Sequence, residues 1–539
     1  MGTYVNPGIE AFEKNLNNNV YVDKSLLIKE LNEIINTENS CLCVSRPRRF
    51  GKTMAENMLC AYYGRTTDTL HIFNNMKIGK DEEAHEKYLE HINKYNTIII
   101  DCQKIWDERW DGETFMQSMK RVLFMDLATE FPSVDLIEKD PISIDILKIY
   151  NETKIKFVVF FDEYDLPIRF NFKEDEFQKY LDFLVSLFKN SAMAGSIALG
   201  YMTGILPIVK DKFQSKLNNF IPVTIVYPEK YAEYTGFTKE EVKELCAKYK
   251  IDYQECEDWF DGYKFEYRKF INDQWVDFSQ SIFNPYAIVR TIQTGEFRSY
   301  WSHTGSYESI LDFINYNFDG TKDAVIKMLS GEEVEVWIDS YCNSLDQFRS
   351  KDDVFGYLTH LGYLAYNKEN QTCYIPNREI ASEWFLAIKA SNDYSLVYKT
   401  IDNSKRLLRQ TIEGDEQAVA VALSDAQQFV TSPISYNNEQ SMQSAINLAY
   451  FFASTKYFMY NELPSGKGYA DVTLVPKRPG IPAIIIELKM RQSPGKALEQ
   501  IRNKQYFNRF NDYQGEVLLV GVNYDDNKNY ECKIERWEK

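Results

Sequence analysis

The residues best suited to chemistry lie in the segment Ser45-Arg46-Pro47-Arg48-Arg49-Phe50-Gly51-Lys52-Thr53. The apolar residues 41–44 before it are typical of a short buried strand, and the apolar spacing of residues 54–63 after it predicts a helix. A strand, a tight loop and Gly-Lys-Thr at the start of a helix form the layout of a phosphate-binding loop. The backbone N–H groups at such a helix start point at a bound anion. The segment therefore predicts a nucleotide site, and we expect ATP with Mg²⁺ as its ligands.

Individual residues of this segment have distinct expected roles. Gly51 lets the backbone approach a phosphate, Lys52 reaches the β- and γ-phosphates, and the Thr53 hydroxyl ligates Mg²⁺. Arg46 stands where the pattern G-x-x-x-x-G-K-[ST] has its first glycine, so the loop must enter its turn differently. The alternative is a basic loop with a chance Gly-Lys-Thr. The predicted nucleotide-binding set is completed by Arg46, Arg48, Arg49 and Phe50.

Two acidic residues, Asp162 and Glu163, follow the buried apolar run 157–161. An Asp at the end of a buried strand can hold the Mg²⁺ of a nucleotide, and the neighbouring Glu can orient or activate a water. Thr203, after the apolar run 197–202, is a candidate sensor of the γ-phosphate or simply a hydrogen-bonding residue at a strand end. The alternative for the acids is that they end a strand in solvent.

The elements that must position these residues are five apolar runs, at residues 41–44, 97–100, 157–161, 197–202 and 221–226. Each is continuously apolar rather than alternating, and helical segments separate them. This pattern predicts a parallel sheet that is covered on both faces. In such sheets the ligand binds at the carboxyl ends of the strands, where Lys52, Asp162 and Thr203 all fall.

A second group of candidate residues lies near the end of the sequence. Asp471 leads into a strand at residues 472–475, and a turn connects this strand to another at 483–489. Glu487 and Lys489 are two residues apart and should project from the same face, while Asp471 can approach Glu487 across the hairpin. Two carboxylates that hold Mg²⁺ and a lysine that orients a water suit phosphodiester hydrolysis. The alternative is an edge strand with solvated side chains.

The surroundings of this group extend the prediction. Gln500, on a helix that follows, is a further catalytic candidate, and Tyr506 lies close to it in sequence. Glu439, at the start of an earlier helix, is a candidate metal ligand together with Asp471 and Glu487. Residues 476–510 contain eight Lys or Arg against two Glu, which suits a phosphate backbone. We therefore expect a nucleic acid as the partner of this region, with DNA favoured over RNA.

The middle of the chain has a helical pattern from Pro228 onward. Thr238-Lys239-Glu240-Glu241 is a capping box that predicts the start of a helix. A helix at 354–361, a hairpin at 363–374 and a helix capped by Asn377 predict a small winged-helix-like module. Such a module is at least as often a spacer or a protein-contact unit as a DNA-binding one.

Composition sets broader bounds on the protein. A chain of 539 residues should hold about three or four domains, and its 44% hydrophobic residues can form large cores. The net charge of −17 argues against a surface that binds nucleic acid generally. The nine cysteines are scattered without a C-x-x-C pair, so a zinc cluster is not expected. With no apolar run of membrane-spanning length, we expect a reduced, cytoplasmic protein with no membrane partner.

Taken together, these residues resemble a bacterial family of predicted AAA-ATPase-like proteins that end in a PD-(D/E)XK nuclease-superfamily domain. The Arg-Pro-Arg-Arg loop is the most specific mark of the resemblance, and Thr53 stands where Ser is common in the family. The resemblance implies ATP binding and a nuclease fold. Its other motifs are Tyr21-Val22-Asp23-Lys24, Asp162-Glu163-Tyr164-Asp165, Thr203-Gly204-Ile205-Leu206, Leu217-Asn218-Asn219, Gly236-Phe237-Thr238, Asp261-Gly262-Tyr263, Tyr469-Ala470-Asp471 and Ile486-Glu487-Leu488-Lys489.

The sequence and the resemblance together predict an α/β multidomain protein. A P-loop ATPase domain with a parallel sheet is expected at 1–228, a helical lid and winged-helix-like region at 229–392, and a PD-(D/E)XK nuclease-like α/β domain at 393–539. The favoured function is ATP binding and hydrolysis coupled to Mg²⁺-dependent cleavage of nucleic acid. One alternative is a regulatory ATPase switch whose nuclease-like domain only binds a partner. Another is a nucleic-acid-binding scaffold that holds ATP without turnover, and an oligomer is compatible with all three.

Overall fold

The computed structural model describes residues 2–193, 195–208, 216–271, 273–301, 307–316, 318–340, 348–430, 439–465, 468–525 and 529–537. The chain divides into two compact units. The first consists of Met1–Trp301 and Glu335–Ile380, and the second of Ser302–Val334 and Ala381–Lys539. Residues 229–301 thus belong to the same unit as residues 1–228. The three-domain boundaries at 228 and 392 stay a prediction.

The first unit is built on a sheet of five parallel strands with the order β2-β3-β4-β1-β5. The prediction of a parallel sheet is therefore confirmed. The fifth strand is shorter than expected, because the Thr224 hydroxyl accepts the N–H groups of Val226 and Tyr227 and turns the chain. The strands are β1 Cys41–Ser45, β2 Asn96–Asp101, β3 Phe157–Asp162, β4 Ile197–Gly204 and β5 Ile221–Val223.

Helices cover both faces of this sheet. Neighbouring residues of a strand point to opposite faces, so a continuously apolar strand supplies two cores. In β3, Val159 and Phe161 pack into one hydrophobic core, whereas Val158 and Phe160 pack into the other. The helices are α1 Glu10–Leu16, α2 Leu27–Asn32, α3 Lys52–Tyr63, α4 Leu70–Phe73, α5 His85–His91, α6 Cys102–Asp107, α7 Phe115–Glu130, α8 Ile142–Thr153, α9 Leu166–Arg169 and α10 Glu174–Phe188.

Helices and a long hairpin follow the sheet in the same unit. The predicted capping box is present, since the Thr238 hydroxyl accepts from Glu241 N and the Glu241 carboxylate accepts from Thr238 N. It begins the first helix of this region. The elements are β6 Phe237–Thr238, α11 Lys239–Tyr249, α12 Tyr253–Phe260, β7 Tyr263–Ile271, β8 Gln274–Phe283 and α13 Pro285–Thr294.

The predicted helix–hairpin–helix is also present. Asn377 Oδ1 accepts from Ile380 N at 3.0 Å, which agrees with its expected capping role. The hairpin strands pair antiparallel, and a short third strand joins their sheet. In chain order this stretch contains α14 Tyr307–Ile314, α15 Thr321–Leu329, β9 Val334–Glu335, α16 Lys351–Leu361, β10 Ala365–Asn367, β11 Thr372–Tyr374 and α17 Arg378–Ala390.

The second unit contains a mixed sheet of five strands with the order β12-β13-β14-β15-β16. β14 and β15 are parallel, and the other neighbours are antiparallel. No helix in the described ranges is long and apolar enough to cross a membrane. The elements are α18 Ser395–Glu413, α19 Glu416–Val430, α20 Glu439–Ala449, β12 Tyr457–Ser465, β13 Gly468–Pro476, β14 Ala483–Met490, α21 Pro494–Lys504, β15 Val517–Tyr524 and β16 Tyr530–Trp537.

Candidate functional site

The loop between β1 and α3 has the geometry of an anion site at its second half. Gly51 precedes α3 with a φ of 84°, a left-handed conformation that glycine adopts without steric cost. A Cβ at Gly51 would meet no atom within 4 Å, so the space beside it is open. The first N–H groups of α3 lack acceptors inside the helix. Open space and backbone donors at one helix start fit a phosphate.

Lys52 is drawn into the loop that it follows. Its ammonium donates to the carbonyl oxygens of Arg46 and Pro47, each at 3.0 Å. The residue is 8% exposed, and this burial lowers the pKa of Lys52, while the carboxylate of Asp162 opposes the shift. The Lys52 ammonium therefore lies inside the loop, and its hydrogen bonds link the end of the loop to its beginning.

The two predicted magnesium ligands lie in direct contact. Thr53 Oγ1 donates to Asp162 Oδ2 at 2.6 Å. Asp162 is the last residue of β3, it is 6% exposed, and its Oδ1 accepts from Glu163 N at 3.0 Å. A hydroxyl and a carboxylate are hard oxygen donors of the kind that Mg²⁺ prefers, and Mg²⁺ sites usually add phosphate oxygens and waters to one or two carboxylates. Thr53 and Asp162 thus fit an Mg²⁺ ion that arrives with a nucleotide.

Glu163 forms an ion pair with Arg169, a residue whose position could not be predicted from the sequence. Arg169 Nη2 donates to Glu163 Oε2 at 2.6 Å, and Arg169 Nε lies 3.2 Å from Asp165 Oδ2. Glu163 also has a φ of 54°, which is uncommon for a residue with a side chain. Asp165 is fully buried and accepts from Leu206 N, two residues past the end of β4. The structure therefore holds Glu163 beside the sheet edge through Arg169.

Thr203 joins this cluster through a residue that the sequence analysis missed. Its Oγ1 lies 2.8 Å from Asp162 Oδ1 and 2.7 Å from Glu56 Oε1. Glu56 is fully buried in α3, and this burial raises its pKa well above the ordinary value. A signal existed, because Glu56 interrupts the buried stripe that includes Leu59 and Cys60. An acid on an apolar helix stripe indicates a polar partner inside the fold.

Arg46, in the place of the usual first glycine, is fully buried. Its Nη1 donates to the carbonyl oxygens of Ser45 and Val223, at 2.9 and 3.3 Å. The guanidinium lies over the Phe265 ring, 4.9 Å from its centroid, and burial lowers the pKa of Arg46 to about 9. The side chain therefore ties β1 to β5 and to the hairpin strand β7.

Arg49 makes a second connection to the middle of the first unit. Its guanidinium lies 3.7 Å from the centroid of the Tyr286 ring, and its Nη1 donates to Tyr300 O at 2.9 Å. Arg48, by contrast, has an exposed side chain. The predicted nucleotide contacts of these arginines stay predictions.

Phe50 makes the third connection. Its ring packs edge-on against Tyr263 with centroids 5.4 Å apart, and its carbonyl oxygen accepts from Gly236 N at 2.8 Å. Phe50 is fully buried, so its predicted role at the nucleotide also stays a prediction. The first half of the loop is thus held by protein contacts, and its second half by the start of α3.

In the second unit, the hairpin brings Asp471, Glu487 and Lys489 together. The pairing of Val472 with Ile486 places Asp471 opposite Glu487 in the next position of the register. Asp471 Oδ2 accepts from Leu488 N at 2.7 Å, and Lys489 Nζ donates to Glu487 Oε1 at 3.2 Å. The geometry expected from strand alternation is therefore present.

Glu487 is the buried member of this group, at 1% exposure. Burial first, and then the neighbouring Asp471, raise the pKa of Glu487 to about 7. Gln500 Nε2 donates to Glu487 Oε1 and to the Tyr506 hydroxyl. The other carboxylate oxygen, Glu487 Oε2, has no hydrogen-bond partner. An orphaned carboxylate oxygen beside a second carboxylate fits a divalent cation. Glu439 begins α20, but its side chain lies outside the described residues, so its role as a ligand stays a prediction.

The pKa of Glu487 gives a testable pH dependence. The pKa of Glu487 is about 7 in the folded protein, whereas the ordinary pKa of a glutamate is 4.5. Between these two pH values the folded state therefore binds more protons than the unfolded state. The contribution of Glu487 to stability is therefore full below pH 4.5 and is lost as the pH rises through about 7. Without metal, we expect the unfolding free energy of wild type relative to Glu487→Gln to fall over this range in urea titrations of the full chain. A pH-independent difference would contradict the assignment.

Residues 6–214 match the family model described as predicted AAA-ATPase, and residues 437–536 match that of the PD-(D/E)XK nuclease superfamily. A protein of Azotobacter chroococcum mcd 1, named an uncharacterized protein in the vnfD 5′ region, is 26% identical over 163 residues. That match covers 29% of this chain and 28% of the relative, so the chain aligns with less than a third of that protein.

Among the solved structures that the chain matches is the Walker-type ATPase of Pyrococcus abyssi, with 12% identity and a TM-score of 0.34. The match covers 67% of this chain and 94% of that one. The two family models agree with the two clusters of candidate residues, since one contains Lys52, Thr53 and Asp162 and the other contains Asp471 and Glu487. The chain therefore combines a predicted AAA-ATPase domain at residues 6–214 with a C-terminal PD-(D/E)XK nuclease-superfamily domain at residues 437–536.

Proposed function

We propose that the protein binds ATP with Mg²⁺ and hydrolyses it at the carboxyl edge of the parallel sheet. The observation that carries the proposal is the 2.6 Å contact between Thr53 and Asp162 at the start of α3, next to the open space at Gly51. Lys52 would exchange its bonds with the loop carbonyls for bonds with the β- and γ-phosphates. When bound, Mg²⁺ neutralises charge on the phosphate oxygens during transfer.

Glu163 is the proposed residue that orients the attacking water. It follows Asp162 directly, so its carboxylate lies at the edge where the γ-phosphate would end. Its ion pair with Arg169 at 2.6 Å holds this carboxylate in place until the site is filled. In the occupied site, the Arg169 guanidinium would face the charge of the γ-phosphate. Glu163 would orient the water toward the same phosphate.

Glu163→Gln tests this role. Gln has nearly the same shape but cannot accept a proton, so we expect ATP affinity within about threefold of wild type and turnover lowered by about 10²- to 10³-fold, as for other positioned acid–base groups. Steady-state phosphate release and calorimetry with ATP measure the two quantities. Glu174→Gln, a change at the start of α10 in the same unit, is the matched control. Equal turnover in wild type and Glu163→Gln would assign the water to another residue.

We further propose that the second unit cleaves nucleic-acid phosphodiester bonds with Mg²⁺ or Mn²⁺, and that DNA is favoured over RNA. The supporting observation is the buried, unpaired Oε2 of Glu487 beside Asp471, with Lys489 at 3.2 Å from the same carboxylate. In this proposal Asp471 and Glu487 hold the metal, and Lys489 orients the water. When bound, the metal polarises the phosphoryl oxygen and lowers the pKa of a bound water.

The direct experiment is incubation of the full chain with single- and double-stranded DNA and RNA, with Mg²⁺ or Mn²⁺, and with or without ATP. ATP-dependent cleavage supports coupling of the two activities. ATP turnover without cleavage favours the alternative of a regulatory switch whose nuclease-like domain only binds a partner. ATP binding without turnover or cleavage favours the nucleic-acid-binding scaffold.

A further inference from the structure

The Thr203 hydroxyl lies within hydrogen-bond distance of two carboxyl groups. Its Oγ1 is 2.7 Å from Glu56 Oε1 and 2.8 Å from Asp162 Oδ1. A threonine hydroxyl carries one proton and can donate one hydrogen bond at a time. The second contact therefore needs a proton that belongs to one of the two acids. If both carboxyl groups were ionised, the Thr203 hydroxyl oxygen would face one of the two carboxylate oxygens with no proton between them.

The surroundings of the two acids decide which of them carries that proton. Asp162 also accepts from the Thr53 hydroxyl and from Glu163 N, so its carboxyl oxygens already have two other donors. Glu56 is fully buried, and its Oε2 has no hydrogen-bond partner. An ionised group in that position would be desolvated without compensation, which costs far more than a neutral acid. The geometry therefore places the proton on Glu56, and Asp162 accepts the hydrogen bond of the Thr203 hydroxyl.

We infer that Glu56 is a positioning residue of the proposed ATP site, which acts as a neutral acid by donating a hydrogen bond from Oε1 to Thr203. Thr203 then donates to Asp162 Oδ1, and the chain of bonds runs in one direction from α3 to the end of β3. The effect on Asp162 is specific. Oδ1 is held by Thr203 and by Glu163 N, so Oδ2 stays beside Thr53, where Mg²⁺ is expected. This consequence rests on the proposed function, whereas the direction of the hydrogen bonds does not.

Two variants of Glu56 separate this role from simple packing. In Glu56→Gln, the side-chain amide donates to Thr203 in the same direction as the neutral acid. In Glu56→Met, the volume is similar but no donor remains. We expect the Mg²⁺ concentration for half-maximal ATP binding to stay within about twofold of wild type in Glu56→Gln and to rise about tenfold in Glu56→Met, the loss of one hydrogen bond to a charged network. ATP affinity in EDTA should be unchanged in both.

A Gln variant as impaired as the Met variant would overturn the inference, because it would require an ionised Glu56. A Met variant with wild-type Mg²⁺ dependence would overturn it as well. A merely structural role of the carboxylate would not predict that Glu56→Gln keeps the wild-type Mg²⁺ dependence. This result in the Gln variant therefore supports the inferred hydrogen bond.

Infrared spectroscopy of the nucleotide-free protein provides a test that does not depend on ATP. A difference spectrum between wild type and Glu56→Gln at neutral pH should contain the carbonyl stretch of a protonated carboxyl group. Carboxylate bands in its place would overturn the inference. If the protonated band is present but wild type binds no ATP, the proposed function fails while the direction of the hydrogen bonds stands.

Discussion

Lys52→Ala should abolish most ATP binding and nearly all turnover. The ammonium is the charged donor expected to reach the β- and γ-phosphates, and a hydrogen bond to a charged group contributes about 1.5–3 kcal/mol. We therefore expect ATP affinity to fall by about 10- to 100-fold. Hydrolysis should fall further, by about 10²- to 10³-fold, because the ammonium also faces the charge that develops on the β- and γ-phosphate oxygens in the transition state. Calorimetry and phosphate release measure the two losses.

The structure adds a control to this experiment. Because Lys52 also donates to the carbonyl oxygens of Arg46 and Pro47, its removal alters the loop as well as the phosphate contact. Far-ultraviolet circular dichroism and the melting temperature should therefore be compared with those of Lys94→Ala, an exposed lysine in the same unit. ATP binding that is undiminished in a folded Lys52→Ala protein would contradict the proposed site.

Glu487→Gln should abolish metal-dependent cleavage of nucleic acid. Gln keeps the shape of the side chain but removes the negative charge that holds the cation next to Asp471. The buried Oε2 that fits the metal would then belong to a neutral amide. We expect cleavage to fall by at least about 10³-fold, as when a group needed for metal binding is removed, and Mn²⁺ binding in calorimetry to weaken with it. ATP turnover should be unchanged.

Two comparisons sharpen the result. Glu499→Gln makes the same chemical change at an exposed position of α21, one residue before Gln500, and should cleave like wild type. Lys489→Ala should keep Mn²⁺ binding and lose rate, because the lysine is proposed to act on the water rather than to hold the metal. Cleavage that persists in Glu487→Gln would refute the site and favour a nuclease-like domain that only binds a partner.

The parts of the sites that depend on local pattern were predictable from the sequence. Asp162 ends a continuously apolar strand, and the carboxyl ends of parallel strands meet at one edge, so its closeness to Thr53 followed from the sheet type. Likewise, the two-residue spacing of Glu487 and Lys489 put them on one face of a strand. Asp471 then came opposite Glu487 because a hairpin fixes the register of its strands.

Contacts between segments that are distant in the sequence were not predictable. The basic loop residue Arg46 has the same local pattern whether it faces a phosphate or packs on Phe265, and only the folded chain distinguishes the two. The choice of Thr203 as the partner of Glu56 has the same cause. Each depends on how a side chain in one element meets another, which no short spacing encodes.

The burial of Arg46 has a consequence for any redesign of this loop. Its guanidinium fills the space between β1, β5 and the Phe265 ring, and its hydrogen bonds satisfy the carbonyl oxygens of Ser45 and Val223. Arg46→Gly would match the usual motif and yet remove a packed cation from the interior. The loop and the hairpin strand β7 are therefore packed as one unit through Arg46, so a redesign of the loop at this position has to refill the space beside Phe265.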